Sequence, residues 1–218
     1  MYSNEPVCEE CQRRLFFLPL FSCGLCGKRL PNMRCSSCGN KGYALFSIAS
    51  YHGEIVRKLM HSLKYGGVKS VAEFFGNRIY SFFQKEIEKE NIPLFENPLF
   101  IPIPLHKKKE RERGFNQAEL IARSFMKASG KSAPPETRIL KKRIYTPSQT
   151  EQKNVGERIK NVKKSFSVEF PELIHGRDIF LFDDVHTSGA TMHEAVRVLR
   201  QNGARNILAL VFAKTRNP

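Results

Sequence analysis

The sequence predicts an α/β domain with a largely parallel sheet, preceded by a small cysteine-rich module. Three observations carry that expectation. Near the C terminus the apolar run "DIFLF" is followed by "GATMHEAVRVLRQNG" at helical spacing and then by the second apolar run "ARNILALVFA". Strand, helix and strand in this order form a βαβ unit, whose strands lie parallel and buried on both faces. All six cysteines fall between Cys8 and Cys38, which sets residues 1–42 apart from a main domain of residues 43–218. A hydrophobic share of 41% with 17 phenylalanines in 218 residues is enough for one sizeable core.

The module is read from its spacing. Cys23-x2-Cys26 and Cys35-x2-Cys38 are each followed by glycine. Two intervening residues let both thiolates of a pair reach one tetrahedral ion, and the glycine permits the tight turn beneath them. Four cysteines close the coordination sphere, so the zinc expected here is structural. Cys8-x2-Cys11 is a third pair without a fourth partner: it could supply ligands in place of a later pair, be left over from a second ribbon, or act in redox chemistry. Disulfides are disfavoured because the chain reads as cytoplasmic: no apolar run reaches the roughly 18 residues of a membrane span, and "MYSNEPVCEEC" has no basic start followed by an apolar core.

Within the main domain, Ile55, Val56, Leu59, Met60 and Leu63 recur at helical spacing until the Gly66-Gly67 pair ends the pattern. A second helix runs from Val68 into the charged "QKEIEKEN". "PLFIPIP" (98–104) is a short strand punctuated by prolines, and residues 114–129 form a helix with Leu120, Ile121, Phe125 and Met126 inward. Residues 141–164 are polar and basic and read as a long mobile excursion. Gly203 stops the last helix.

Lysine plus arginine outnumber aspartate plus glutamate 36 to 21, for a formal charge of +15. A positive field of this size favours a polyanionic partner, because phosphates are its commonest target.

Against that background Asp183 and Asp184 stand out, at the carboxyl end of a predicted parallel strand where α/β proteins bind ligands. Thr187, Ser188, Gly189, Ala190 and Thr191 follow, offering backbone N–H groups, hydroxyls and a positive helix end, which together make a phosphate cradle. Carboxylates beside a phosphate must face donors; ribose hydroxyls meet that need, and a divalent cation relieves the remaining charge. "SGKS" at 129–132 is not a P-loop, since the position that needs glycine is Phe125 and no strand precedes it.

"IFLFDDVHTSGAT" resembles the phosphoribosyl-pyrophosphate (PRPP) signature of type I phosphoribosyltransferases. "IPIPLHKKKERERGFNQAELIA" and "TPSQTEQKNVGERIKNVKKSF" are similar to segments of the ComF/GntX competence proteins, which also carry a cysteine-rich zinc ribbon ahead of a transferase-like domain. The resemblance spans nearly the whole chain. It implies a type I phosphoribosyltransferase-like parallel sheet flanked by helices, with a small N-terminal zinc ribbon. Asp183 and Asp184 would hold the ribose hydroxyls, and Val185, His186, Thr187, Ser188, Gly189, Ala190 and Thr191 the 5'-phosphate, with Mg2+ accompanying PRPP. The turn at 104–107 would lie near the pyrophosphate, and residues 144–164 would cover a bound ligand. His186 stands where the signature usually has an apolar residue, and six cysteines replace a double ribbon's eight.

Family members are associated with uptake of transforming DNA, which implies single-stranded DNA and other DNA-uptake proteins as partners. Lys107, Lys108, Lys109, Arg111 and Arg113, then Lys141, Lys142 and Arg143, then Arg158, Lys160, Lys163 and Lys164 are expected to rim the crevice and to contact pyrophosphate or DNA. Phe115 and Tyr145 are candidates to stack on unpaired bases. No residue stands out as an acceptor-specific base, so no catalytic residue is assigned; phosphoribosyl transfer to an unidentified acceptor and PRPP sensing without turnover are the alternatives.

Overall fold

A computed structural model describes residues 6–31, 33–93, 95–145, 162 and 164–215. Five strands form the main sheet: β1 (Phe17–Cys23), β2 (Ala44–Ser50), β3 (Leu99–Pro102), and, after a separate two-stranded ribbon of β4 (Leu140–Lys142) and β5 (Phe166–Val168), β6 (Ile179–His186) and β7 (Ile207–Lys214). Their order is β1-β2-β7-β6-β3. Among the described residues only the β1–β2 pairing in this sheet is antiparallel; β2–β7, β7–β6 and β6–β3 are parallel. The fold is therefore α/β with a mainly parallel sheet, as the βαβ pattern predicts.

Six α-helices accompany the strands among the described residues: α1 (Glu9–Arg14), α2 (Glu54–Tyr65), α3 (Ser70–Lys89), α4 (Lys107–Arg113), α5 (Gln117–Ala128) and α6 (Ala190–Gln201). None is long and apolar enough to cross a membrane.

Side-chain alternation along the central strands divides the core into two layers. Phe180 and Phe182 of β6 and Leu208, Leu210 and Phe212 of β7 face α2, α3 and α5, where Phe75 stacks on Phe212 at 3.7 Å between ring centroids. Ile179, Leu181, Ile207, Ala209 and Val211 point the other way, onto Met192, Ala195, Val196 and Leu199 of α6. Burying one such large side chain is worth about 1.5–3 kcal/mol, so both layers contribute substantially to stability. Helices α3 and α5 approach closely at Gly76, where a Cβ would fall 2.6 Å from the Ile121 carbonyl oxygen.

Several elements differ from the sequence reading for identifiable reasons. The helix expected from residue 114 begins at Gln117, because Asn116 accepts a hydrogen bond from the Ala118 N–H and caps it, while Gly114 at φ 79 ends α4. Helix α4, "KKKERER", has no apolar stripe to reveal it; His106 Nδ1 accepts from the Lys108 N–H and caps its start. "DIFLF" continues as strand through "DDVH", so the acidic pair lies within β6 rather than beyond it. Lys141 and Lys142, expected in the excursion, belong to the β4–β5 ribbon; residues 146–161 and 163 lie outside the described residues. Strand β1 carries Pro19, which an edge strand tolerates, and joins the cysteine knuckle at Cys23 directly to the main sheet.

Candidate functional site

The carboxyl ends of β6 and β3, the loop into α6 and one side of α2 enclose a cleft of about 350 Å3. Asp183 through Met192 line one wall, Ile103 to Leu105 with Lys109, Arg113 and Lys142 another, and Tyr51, Arg57, His61, Lys64 and Tyr65 the third. This is the location an open parallel sheet favours for ligands.

Because successive strand residues face opposite ways, the two acids sit in different surroundings. Asp184 is 2% exposed and its carboxylate meets Lys64 Nζ at 2.8 Å. Burial pulls Lys64 down, but the charges of Asp184 and Asp183 and the hydrogen bond to Asp184 outweigh it and hold the ammonium above its ordinary value. Asp183 is only partly buried, and its Oδ1 accepts from the Asp184 N–H at 2.9 Å. Burial first and the neighbouring Asp184 charge second push its carboxyl up to about 8, against the opposing pull of Lys64. Lys142, across the cleft, is brought down to about 8 by burial and by Lys109.

After β6 the chain turns into α6 through Gly189 at φ 74, the N-cap, which has no side chain to occupy the helix end. No acidic residue lies in the first turn of α6. The first-turn N–H groups of a helix have no intrahelical partners, so this end presents donors and a positive dipole to the cleft. The Thr187 hydroxyl oxygen is buried with no hydrogen-bond partner among the described residues, a state that costs free energy until a ligand or water meets it. An acid pair, an uncapped helix end and five cationic side chains around one cavity can hold a polyol through the carboxylates and a phosphate through the backbone.

His186 is buried and hydrogen-bonded to the Tyr43 hydroxyl at 2.9 Å. Burial and the nearby Lys214 charge lower its pKa to about 4, so the ring is neutral. The imidazole thus has a packed polar partner at the position where an apolar residue was expected.

The expected rim is only partly assembled. Arg113 lines the cleft and donates to Gln117 Oε1. Lys107 borders a neighbouring groove with Lys141, Lys142 and Arg143, and Arg111 is exposed, donating to the Lys107 carbonyl. Arg158, Lys160 and Lys163 lie outside the described residues. Phe115 is 9% exposed, packed in the core beneath Lys69, so it is not available to stack on a base. Tyr145 keeps 37% exposure, with the ammonium groups of Lys108 and Lys109 at 5.1 and 5.5 Å from its ring centre. Sequence reasoning missed Arg57, His61 and Lys64, because helical periodicity spoke only for the buried face of α2, and Tyr51, which stands in the turn before that helix with no motif to mark it.

The four later cysteines converge. Ligand atoms of Cys23, Cys26, Cys35 and Cys38 all lie within 4.8 Å of one another, and the Cys26 and Cys35 sulfurs are 3.6 Å apart. Four thiols about one point fit a tetrahedral ion with zinc–sulfur bonds of about 2.3 Å. Each knuckle turn is closed by a following glycine: the Gly27 N–H donates to the Cys23 carbonyl and the Gly39 N–H to the Cys35 carbonyl, with both glycines at positive φ. Cys8 and Cys11, at the start of α1 and within it, are not part of this cluster.

No family model matches the chain. It is 28% identical over 210 residues to the competence protein ComFC of Bacillus subtilis, covering 92% of this chain and 80% of that protein. Over 211 residues it is 26% identical to competence protein F of Haemophilus influenzae, covering 92% and 87%. The DNA utilization protein YhgH of Salmonella typhi is 24% identical over 220 residues, covering 98% and 92%.

Proposed function

We propose that this chain is a competence protein of the ComF family, as its similarity to such proteins over most of its length supports, and that it binds PRPP with Mg2+ in the cleft over β6 and single-stranded DNA along the adjoining basic rim. The observation that carries the reading is the pairing of Asp183 and Asp184 with the uncapped, acid-free start of α6 in one cavity. Ribose offers hydroxyl donors that match the carboxylates, and the 5'-phosphate matches the N–H groups of residues 188–191 and the unpartnered Thr187 hydroxyl. Of the two acids Asp183 is the freer ribose acceptor, since Asp184 is already committed to Lys64. Lys109, Arg113 and Lys142 face the side where the pyrophosphate would lie.

Mg2+, when bound with PRPP, neutralises pyrophosphate charge. Zinc in the four-cysteine site acts structurally, since its ligand set is complete without water. The DNA reading rests on the relatives' association with competence and DNA utilization, on the exposed Lys107, Lys108, Arg111 and Arg143, and on Tyr145 with Lys108 over its ring, which offer phosphate contacts and one aromatic stack.

Calorimetric titration with Mg-PRPP tests the first part. Wild type should bind, and near pH 8, where Asp183 ionises, Asp183→Asn should bind at least about tenfold more weakly, the loss of roughly one charge-assisted hydrogen bond. Equal affinities would remove the assignment.

A second reading is transfer of the phosphoribosyl group to an acceptor, favoured by the third wall of the cleft. His61 and Tyr65, with ring centres 5.0 Å apart, stand there beside Arg57 and could border a second substrate. Pyrophosphate release that depends on an added acceptor would select it.

A further inference from the structure

Tyr43 lies between the cysteine knuckle and the cleft and is 2% exposed. Its hydroxyl donates to the Gly24 carbonyl at 3.3 Å, and its oxygen is 2.9 Å from His186 Nε2. With the phenol proton directed to Gly24, Nε2 carries the imidazole proton and donates to the phenol oxygen. The Gly24 N–H donates to the Tyr43 carbonyl at 2.9 Å, so these two residues are bonded in both directions.

Packing makes the link stiff. Gly24 follows Cys23, and a Cβ at Gly24 would fall 2.0 Å from the Tyr43 ring. On the far side, a Cβ at Gly189 would fall 2.9 Å from His186 Nε2 and 3.5 Å from the Gly24 carbonyl oxygen. Knuckle backbone, phenol, imidazole and the glycine that caps α6 therefore form one contiguous unit. A shift of the Cys23–Gly24 turn is therefore passed through direct contacts to Gly189.

We infer that Tyr43 is a positioning residue through which occupancy of the four-cysteine site sets the conformation of the 187–191 loop, so that metal binding and anion binding at that loop are coupled. The inference rests on the reading of the loop as a phosphate cradle. Metal fixes the Cys23–Gly24 turn; Gly24 fixes the Tyr43 hydroxyl; the hydroxyl fixes the His186 ring; and the ring sets the floor under Gly189. By linkage the coupling is reciprocal, so bound PRPP would also tighten metal retention.

The test compares metal-loaded and chelator-stripped protein, wild type and Tyr43→Phe, by calorimetry with Mg-PRPP. Stripping the metal should weaken wild-type binding roughly fivefold or more, the lower range of allosteric couplings. Tyr43→Phe should retain one metal per chain, bind PRPP a few-fold more weakly, and lose most of the dependence on metal. Metal-independent affinity in wild type, or full metal dependence in Tyr43→Phe, overturns the inference. If wild type binds no PRPP in either state, the phosphate reading falls, and the His186 ring nitrogens in 15N NMR decide the coupling. A metal-dependent shift abolished by Tyr43→Phe supports it, and the same shift in both proteins refutes it. Should Tyr43→Phe fail to hold metal, the wild-type titration decides alone: movement of the His186 signals in step with metal loading supports the link, and unmoved signals sink it.

Discussion

The cysteine knuckle and the cleft over β6 are built on opposite principles. In the knuckle the four candidate ligands face one another within 4.8 Å and their turns are closed by backbone hydrogen bonds, so the site is complete with a single ion. In the cleft the functional groups face a void: Asp183 is held up to about 8 and Lys142 down to about 8, and the Thr187 hydroxyl has no partner among the described residues. A closed site contributes stability, whereas an open one stores unsatisfied charge and hydrogen-bonding capacity for a ligand.

Substitutions in the two regions should therefore differ in kind. The largest effect is expected from changing any of Cys23, Cys26, Cys35 or Cys38 to Ser. Structural zinc is worth on the order of 10 kcal/mol in isolated fingers, and losing even 3 kcal/mol of that would lower Tm by roughly 6–12 °C in a chain of this size. Metal analysis should show loss from these four variants and retention in Cys8→Ser and Cys11→Ser; equal loss from all six would end the distinction.

Next in size is Asp184→Asn, which the cleft's open character alone would predict to be mild. Breaking a buried ion pair leaves Lys64 uncompensated and costs about 3 kcal/mol or more. Adding Lys64→Met should recover much of that loss in a denaturant melt; no recovery would show that Asp184 acts through something other than Lys64.

A smaller effect separates Asp183 from its neighbour by pH. Its carboxyl is raised from an ordinary 3.8 to about 8, so between those values the folded protein keeps a proton that the unfolded chain releases. Stability from this group is full at low pH and falls as pH rises through that window, so the wild-type minus Asp183→Asn difference should decline from pH 4 to 8. PRPP affinity should move the other way, rising towards pH 8 as Asp183 ionises and falling above it as Lys142 loses its charge. A profile flat in both measurements would contradict the placement of Asp183.

The mildest change is expected at the rim. Replacing both Lys108 and Lys109 with Gln should reduce the salt slope of single-stranded DNA binding by about 1–2 phosphate contacts, without altering metal content. An unchanged slope would place the DNA elsewhere.

Much of this architecture could be read from residue order. The β6–α6–β7 unit announced itself because two buried strands flank a helix with clear 3.6-residue periodicity, and each knuckle is a local turn of two residues between ligands. Helix α4 was hidden because seven charged residues bear no apolar stripe, and β1 because Pro19 breaks the strand signal. Phe115 looked free because its neighbours are charged, yet the turn between α4 and α5 folds it into the core.

By itself, then, the sequence determined the mainly parallel α/β core, the four-thiol cluster and the acid pair leading into a small-residue loop, since each depends on backbone period or on spacing over a few residues. Tertiary structure alone decided that Asp184 is spoken for by Lys64 while Asp183 is not, and that Lys109, Arg113 and Lys142 turn into the cleft. It also decided that Tyr43 reaches His186, 143 residues away along the chain, to join the knuckle to the loop. Such partners are chosen by sheet register and by where α2 and the β4–β5 ribbon cross the strand ends, and no local pattern records those crossings.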